Sequence, residues 1–301
     1  MMDTTAQQSI LVGVDGSPSA MHAVRWAARE AARRHIPLTL FHACAPPPAG
    51  PHMTSGTVAG AVEALIEQGH QWLRRAEWEA HDLAPGLEVH RDLRVGGAVA
   101  LLIDESESAR IAVLGSRGLG GFQGMLLGSV SVGVAEHGHC PVVVVRGRTL
   151  ADPPPEGGPV VVGVDGSPVS DAAVAFAFDE ASLRGVPLVA VHTWTDPAVG
   201  ETWSAPPFDI DYEALAAEES QLLAERMAGW GEKYPDVPVR QVMVRDRPVR
   251  GLLKEADGAQ LLVVGSRGRG QLAGMVGLGS TSRALLHHSS CPVAVVRPAA
   301  P

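Results

Sequence analysis

The chain has 301 residues, 24 of them basic and 33 acidic, for a net charge of −9. That length allows about two domains, and the acidic balance argues against broad nucleic-acid binding or docking on an anionic membrane surface. The longest apolar runs, such as Val142 to Val145, are far too short to span a bilayer, and the polar start, Met1 to Ser9, lacks a signal-peptide pattern. The expectation is a soluble cytoplasmic protein.

In chain order, Ile10 to Val14 is a short apolar run closed by Asp15, the pattern of a buried strand. Ser17-Pro18 opens a helix, Ser as N-cap and Pro at the first helical position. Ala20, Ala23, Val24, Ala27, Ala28 and Ala31 fall on one face of it, small enough for close packing on a sheet. Arg25, Arg29, Arg33 and Arg34 are expected on a solvated face. Leu38 to Ala43 reads as strand two, Cys44 to Gly56 as a Pro/Gly-rich loop, Thr57 to His81 as a long helix and Leu87 to Leu93 as strand three. Ala98 to Ser108 is helical, Ile111 to Leu114 is strand four, Ser129 to His137 the last helix and Val142 to Val145 the last strand.

The chain then repeats itself. Val12-Gly13-Val14-Asp15-Gly16-Ser17-Pro18 returns as Val162-Gly163-Val164-Asp165-Gly166-Ser167-Pro168, and Gly115-Ser116-Arg117-Gly118 as Gly265-Ser266-Arg267-Gly268. Both recur 150 residues on, which is the length of one domain and not of a solenoid unit. Every element recurs in order, including one helix expected to run unbroken from Tyr212 to Lys233. The division is therefore residues 1–147, a Pro/Gly-rich linker 148–159 and residues 160–301. Short strands alternating with helices imply an α/β architecture with a parallel sheet covered on both faces. Cys44, Cys140 and Cys291 have no CxxC or metal spacing and are expected to be buried apolar residues.

In an open α/β sheet, ligands bind beyond the C-terminal strand ends where strand order reverses. Asp15 closes strand one, and Gly115 opens the loop after strand four. If those strands are neighbours, carboxylate and loop face each other. The loop runs Gly115-Ser-Arg-Gly118, nine residues, then Gly128-Ser129. Glycines let the backbone approach an anion, and Ser129 is expected to cap a helix whose N-terminus favours phosphate. Neither loop holds a lysine, so backbone donors and Arg117 would do the holding. An aspartate beside a phosphate makes sense with Mg²⁺ between them, since Mg²⁺ uses few carboxylates.

These residues together resemble the universal stress protein family, in its tandem ATP-binding branch. The pattern Gly-x2-Gly-x9-Gly-(Ser/Thr) is met at Gly115, Gly118, Gly128 and Ser129, beside Leu40-Phe41-His42 and the Cys140-Pro141-Val142 and Cys291-Pro292-Val293 strand starts. The resemblance implies two Rossmann-like (adenine nucleotide alpha hydrolase-like) domains, each a five-stranded parallel sheet in the order 3-2-1-4-5. It implies that Ala43 and Thr193 contact adenine through their backbones, and that Asp15 and Asp165 sit near ribose, phosphates and metal. Gly115, Gly118, Gly128, Ser129 and Val130 would hold ribose and phosphates, as would Gly265, Gly268, Gly279, Ser280 and Thr281 in the second half. Gly13, Gly163, Arg117 and Arg267 complete the expected sites. The implied ligands are ATP and Mg²⁺, the implied assembly a homodimer, and the implied role a nucleotide-dependent regulator or sensor in stress response.

A slow ATPase or phosphotransferase is the alternative, although neither half shows GxxxxGK(S/T) or a placed general base beyond Asp15. An electron-transfer flavoprotein-like or pyrophosphatase-type adenine domain is a third reading, the latter weakened by the absence of SGGxDS. The second half departs from the family pattern, with ten residues between Gly268 and Gly279. A bulge at Gly277 would keep Gly279-Ser280 in place, or the extra residue would misplace the phosphate cradle; the expectation is two sites, the second the weaker. His42 and His192 are expected as core residues at a strand end, and Trp72, Trp78, Trp194, Trp203 and Trp230 as packing or dimer residues.

Overall fold

The computed structural model describes residues 8–46, 55–119, 127–148, 152–194, 211–268 and 277–298, the backbone alone for 55–59. The chain divides into two compact units, Met1–Pro153 and Pro154–Pro301.

The first unit runs β1 (Ile10–Gly13), α1 (Pro18–Arg34), β2 (Leu38–Cys44), α2 (Ser55–Leu83), β3 (Val89–Val95), α3 (Ala98–Glu105), β4 (Ile111–Gly115), α4 (Ser129–His137) and β5 (Val142–Val145). Its strands are all parallel, in the order β3-β2-β1-β4-β5. Ile10 lies opposite Leu38 on one side and Ile111 on the other, which makes β1 and β4 neighbours. Ile10, Val12, Ile111 and Val113 are fully buried, each contributing about 1.5–3 kcal/mol of transfer free energy.

The second unit runs β6 (Val160–Gly163), α5 (Pro168–Arg184), β7 (Leu188–Trp194), α6 (Tyr212–Met227), α7 (Trp230–Lys233), β8 (Val239–Arg245), α8 (Pro248–Glu255), β9 (Leu261–Gly265), α9 (Ser280–His288) and β10 (Val293–Val296). Its parallel order, β8-β7-β6-β9-β10, repeats that of the first.

Helix α1 starts as its sequence dictates. Ser17 is the N-cap, its Oγ accepting from Ala20 N–H at 3.1 Å, and Pro18 follows. The same hydroxyl donates to the Arg117 carbonyl at 3.2 Å, joining the cap to the loop after β4. Ser17→Ala should therefore cost about 1–2 kcal/mol, read as a lower urea midpoint at unchanged slope. The apolar stripe of α1 is buried as its spacing requires. The arginines do not all face water, because Arg34 donates to the fully buried Glu30 at 2.6 Å and is itself only 8% exposed.

Several boundaries differ from the sequence expectation: α2 is longer by two residues at each end, α3 stops at Glu105 rather than Ser108, and two further differences have a visible cause. Strand β3 begins at Val89, two residues late, because Leu87 N–H bonds back to Ala84 and closes a turn. Helix α6 ends at Met227, where the chain turns left-handed at Gly229. The break lets Trp230 and Tyr234 stack on the buried Phe178, ring centroids 5.1 and 5.4 Å away. Cys44, Cys140 and Cys291 are buried thiols. No helix among the described residues is long and apolar enough to cross a membrane.

Candidate functional site

Because β1 and β4 are adjacent, the turn after one and the loop after the other share a mouth at the C-terminal edge of the sheet. In the first unit this mouth is a cavity of about 530 Å³, within the range of small-molecule sites. The Asp15 carboxylate lies across it. One oxygen accepts from Ser17 N–H at 3.0 Å and the other from Leu119 N–H, in the glycine loop, at 3.1 Å. The loop can come this close because residue 118 is glycine: a methyl carbon there would fall 2.4 Å from Asp15 Oδ2.

The far side of the loop is fixed by Gly128, whose N–H donates to the Ser116 carbonyl at 2.8 Å. Here the structure corrects the expected cap. Gly128 is the N-cap of α4 and no side chain caps it, so Ser129 is the first helical residue. The physical reason lies in the next turn, where Ser131 Oγ donates to the Gly115 carbonyl at 2.6 Å and ties the helix start to the end of β4. The first intrahelical bond is Val132 N–H to Gly128. Ser129, Val130 and Ser131 line the cavity ahead of it, with N–H donors that the helix itself does not use.

Each residue singled out in the first half lines this one cavity. Gly13 and Asp15 come from the end of β1, Ala43 from β2, Gly115, Arg117 and Gly118 from the loop, and Gly128, Ser129 and Val130 from the start of α4. The second unit assembles the equivalent nine around a cavity of about 370 Å³: Gly163, Asp165, Thr193, Gly265, Arg267, Gly268, Gly279, Ser280 and Thr281. Asp165 accepts from Ser167 N–H at 3.0 Å and from its hydroxyl at 2.7 Å. A methyl carbon on Gly268 would fall 2.6 Å from Asp165 Oδ2. Gly279 N–H donates to the Ser266 carbonyl at 2.8 Å, and Ser282 Oγ to the Gly265 carbonyl at 2.7 Å. The end of the loop is thus anchored as in the first half despite the extra residue, with Gly277 at φ +121° just before it. Residues 269–276, Arg269 among them, lie outside the described residues.

A family model described as the universal stress protein family matches residues 7–146 and again 158–297. The chain belongs to the universal stress protein family. A universal stress protein of Mycobacterium tuberculosis is 43% identical over 300 residues, 99% of each chain. One from Mycolicibacterium smegmatis is 43% identical over 308 residues, covering 99% of this chain and all of the relative. Among solved structures, a universal stress protein from Archaeoglobus fulgidus aligns with TM-score 0.67 at 21% identity, covering 97% of this chain and 99% of that one. At that identity it speaks for the fold alone.

In this universal stress protein His42 and His192 serve the scaffold. Each donates from Nδ1 to the carbonyl three residues before the cap serine, His42 to Val14 at 2.7 Å and His192 to Val164 at 2.6 Å. Of the tryptophans expected to pack, Trp230 does so, Trp78 is 65% exposed, and Trp203 lies outside the described residues. Trp72 departs from that expectation by standing in the wall of the first cavity, with Phe41 and Leu102. Helical spacing alone could not select its face, but comparison of the halves marks the position, because residue 222 is leucine where 72 is tryptophan.

Proposed function

We propose that each cavity holds one adenine nucleotide, ATP with Mg²⁺, and that the protein acts as a nucleotide-dependent regulator in stress response. The observation that carries this reading is the recurrence of one mouth in both halves: an aspartate across from a glycine loop that ends in a helix start without a side-chain cap. Helix N–H donors and the helix dipole favour a phosphate there. Ala43 and Thr193, at the ends of β2 and β7, line the cavities on the other side of β1 and β6, where their backbones can meet a base.

The chemistry of the donor set fits the metal as well. No group of three metal-ligating side chains occurs among the described residues, but Mg²⁺ is held by one or two carboxylates together with substrate phosphates and water. A carboxylate has about four lone-pair positions, and the two N–H bonds to Asp15 occupy one on each oxygen, which leaves about two for a metal. Bound Mg²⁺ would neutralise phosphate charge beside that carboxylate.

Isothermal titration of the full chain with ATP and Mg²⁺ should give two equivalents bound, near one for either Asp15→Ala or Asp165→Ala. At ligand a hundredfold above Kd, binding should stabilise the fold by about 2.7 kcal/mol, several degrees in melting temperature. An unchanged melting curve with millimolar ATP would sink the nucleotide reading. Phosphate release at several per second, abolished by Asp15→Asn, would replace the regulator with an enzyme.

A further inference from the structure

Helix α2 delivers one side chain to the first cavity that the second lacks. Trp72 is half-buried and lines that cavity. Its indole lies on Gly16: a methyl carbon built there would fall 2.4 Å from both Cε2 and Nε1. Gly16 is also at φ +81°, in the turn that carries Asp15, so both its backbone and its bareness are needed. The indole meets the His42 ring edge-on, with centroids 5.2 Å apart and planes at 81°. One turn earlier on α2, Gly69 lets the helix close on β2, since a methyl carbon there would fall 2.5 Å from His42 Cδ2 and 2.8 Å from Leu93. Gly16, Gly69 and the anchored His42 therefore fix the indole in one place.

The equivalent place in the second half is built differently. Leu73 and Leu223, each 1% exposed, fix the correspondence of the helices. Gly69 becomes Glu219, and Trp72 becomes Leu222. Glu219 Oε2 lies 2.7 Å from His192 Nε2, so a carboxylate occupies the ring nitrogen behind that cavity. No Trp, Phe or Tyr is among the described residues lining it. The first cavity is accordingly both larger and more apolar on its β2 side. That side is across β1 from Arg117 and the start of α4, and so away from where phosphates would sit.

We propose that Trp72 is a base-specificity residue: its indole packs against the base of a nucleotide in the first cavity and makes this the tighter, more base-selective of the two sites. The proposal rests on the nucleotide reading above. An indole presents a large flat apolar surface that loses little freedom on contact, and base–aromatic packing of this kind changes affinity by roughly tenfold. Leucine at 222 covers the same place without a ring, so the second site should discriminate less among bases.

The test titrates the full chain with ATP and with UTP, each with Mg²⁺, for the native protein and the Trp72→Leu and Trp72→Phe variants. In the native protein, ATP should bind two unequal sites, and the tighter should prefer ATP over UTP. Trp72→Leu should weaken that site about tenfold and flatten its preference, leaving the weaker site unchanged as an internal control of folding. Trp72→Phe, which keeps a ring, should recover most of the loss. Unchanged ATP affinities in Trp72→Leu would overturn the proposal while leaving the nucleotide reading intact. So would equal losses in the leucine and phenylalanine variants, since a packing defect would then account for both. Failure of the native protein to bind ATP at all would remove the nucleotide reading and this proposal together.

Discussion

Gly118→Ala should abolish one nucleotide site, and Gly268→Ala the other, each leaving its partner site untouched. The cause is local. The added carbon falls 2.4 Å from Asp15 Oδ2 in the first half and 2.6 Å from Asp165 Oδ2 in the second, distances no carbon–oxygen pair sustains. The aspartate cannot swing aside freely, because it is a short side chain whose other oxygen is held by Ser17 or Ser167 N–H at 3.0 Å. The loop must therefore move, and in the first half it gives up the Leu119 N–H bond to the carboxylate. A hydrogen bond to a charged group contributes about 1.5–3 kcal/mol, so the expected loss approaches a hundredfold in Kd. Calorimetry should show the ATP count falling from two to one, with the circular dichroism spectrum unchanged. Full affinity at both sites in both variants would mean that the contact between carboxylate and glycine loop is no part of the site.

That prediction stands almost entirely on residues legible in the sequence. Asp15, Gly115 and Gly128 could be placed because each lies where a strand ends or a helix opens, and Gly118 because it sits in the loop between two of them; chain order alone puts those ends on one edge of a parallel sheet. Trp72 could not, because its role depends on which face α2 turns to β2. That choice is set by Gly69 and Gly16, glycines far apart in the chain whose bareness matters only once they meet His42 and the indole. Residue type alone points to Ser129 as the cap of α4. The structure instead gives the cap to Gly128, since the hydroxyl that matters at this end is that of Ser131, bonded to the strand behind it. The sequence pattern starts β3 two residues early because it is an edge strand exposed on both faces at several positions, which blurs the alternation that marks a half-buried strand.

Arg34 exposes the same limit in charge patterning, and its repeat in the second half yields the largest stability effect. Four arginines on one helix read as a solvated face, yet an acid one turn back can draw an arginine inward. Glu180 is fully buried and meets Arg184, 4% exposed, through Nε at 2.9 Å and a second nitrogen at 2.8 Å. Arg184 also donates to Gln260 Oε1 at 3.1 Å, and Gln260 Nε2 donates to the Gly158 carbonyl at 2.7 Å. This chain of contacts ties the end of α5 to the segments entering β9 and β6. Removing one member strands a buried charge, which costs about 3–5 kcal/mol. Glu180→Ala should then lower the melting temperature of the second unit by on the order of 10 °C. Replacing both partners, Glu180→Leu with Arg184→Met, should recover most of that loss, since a buried pair exchanged for apolar residues of similar volume is often close to neutral. If the double variant melts as low as the single one, then the bonds from Arg184 to Gln260 and onward to Gly158 hold the unit together, and the ion pair itself contributes little.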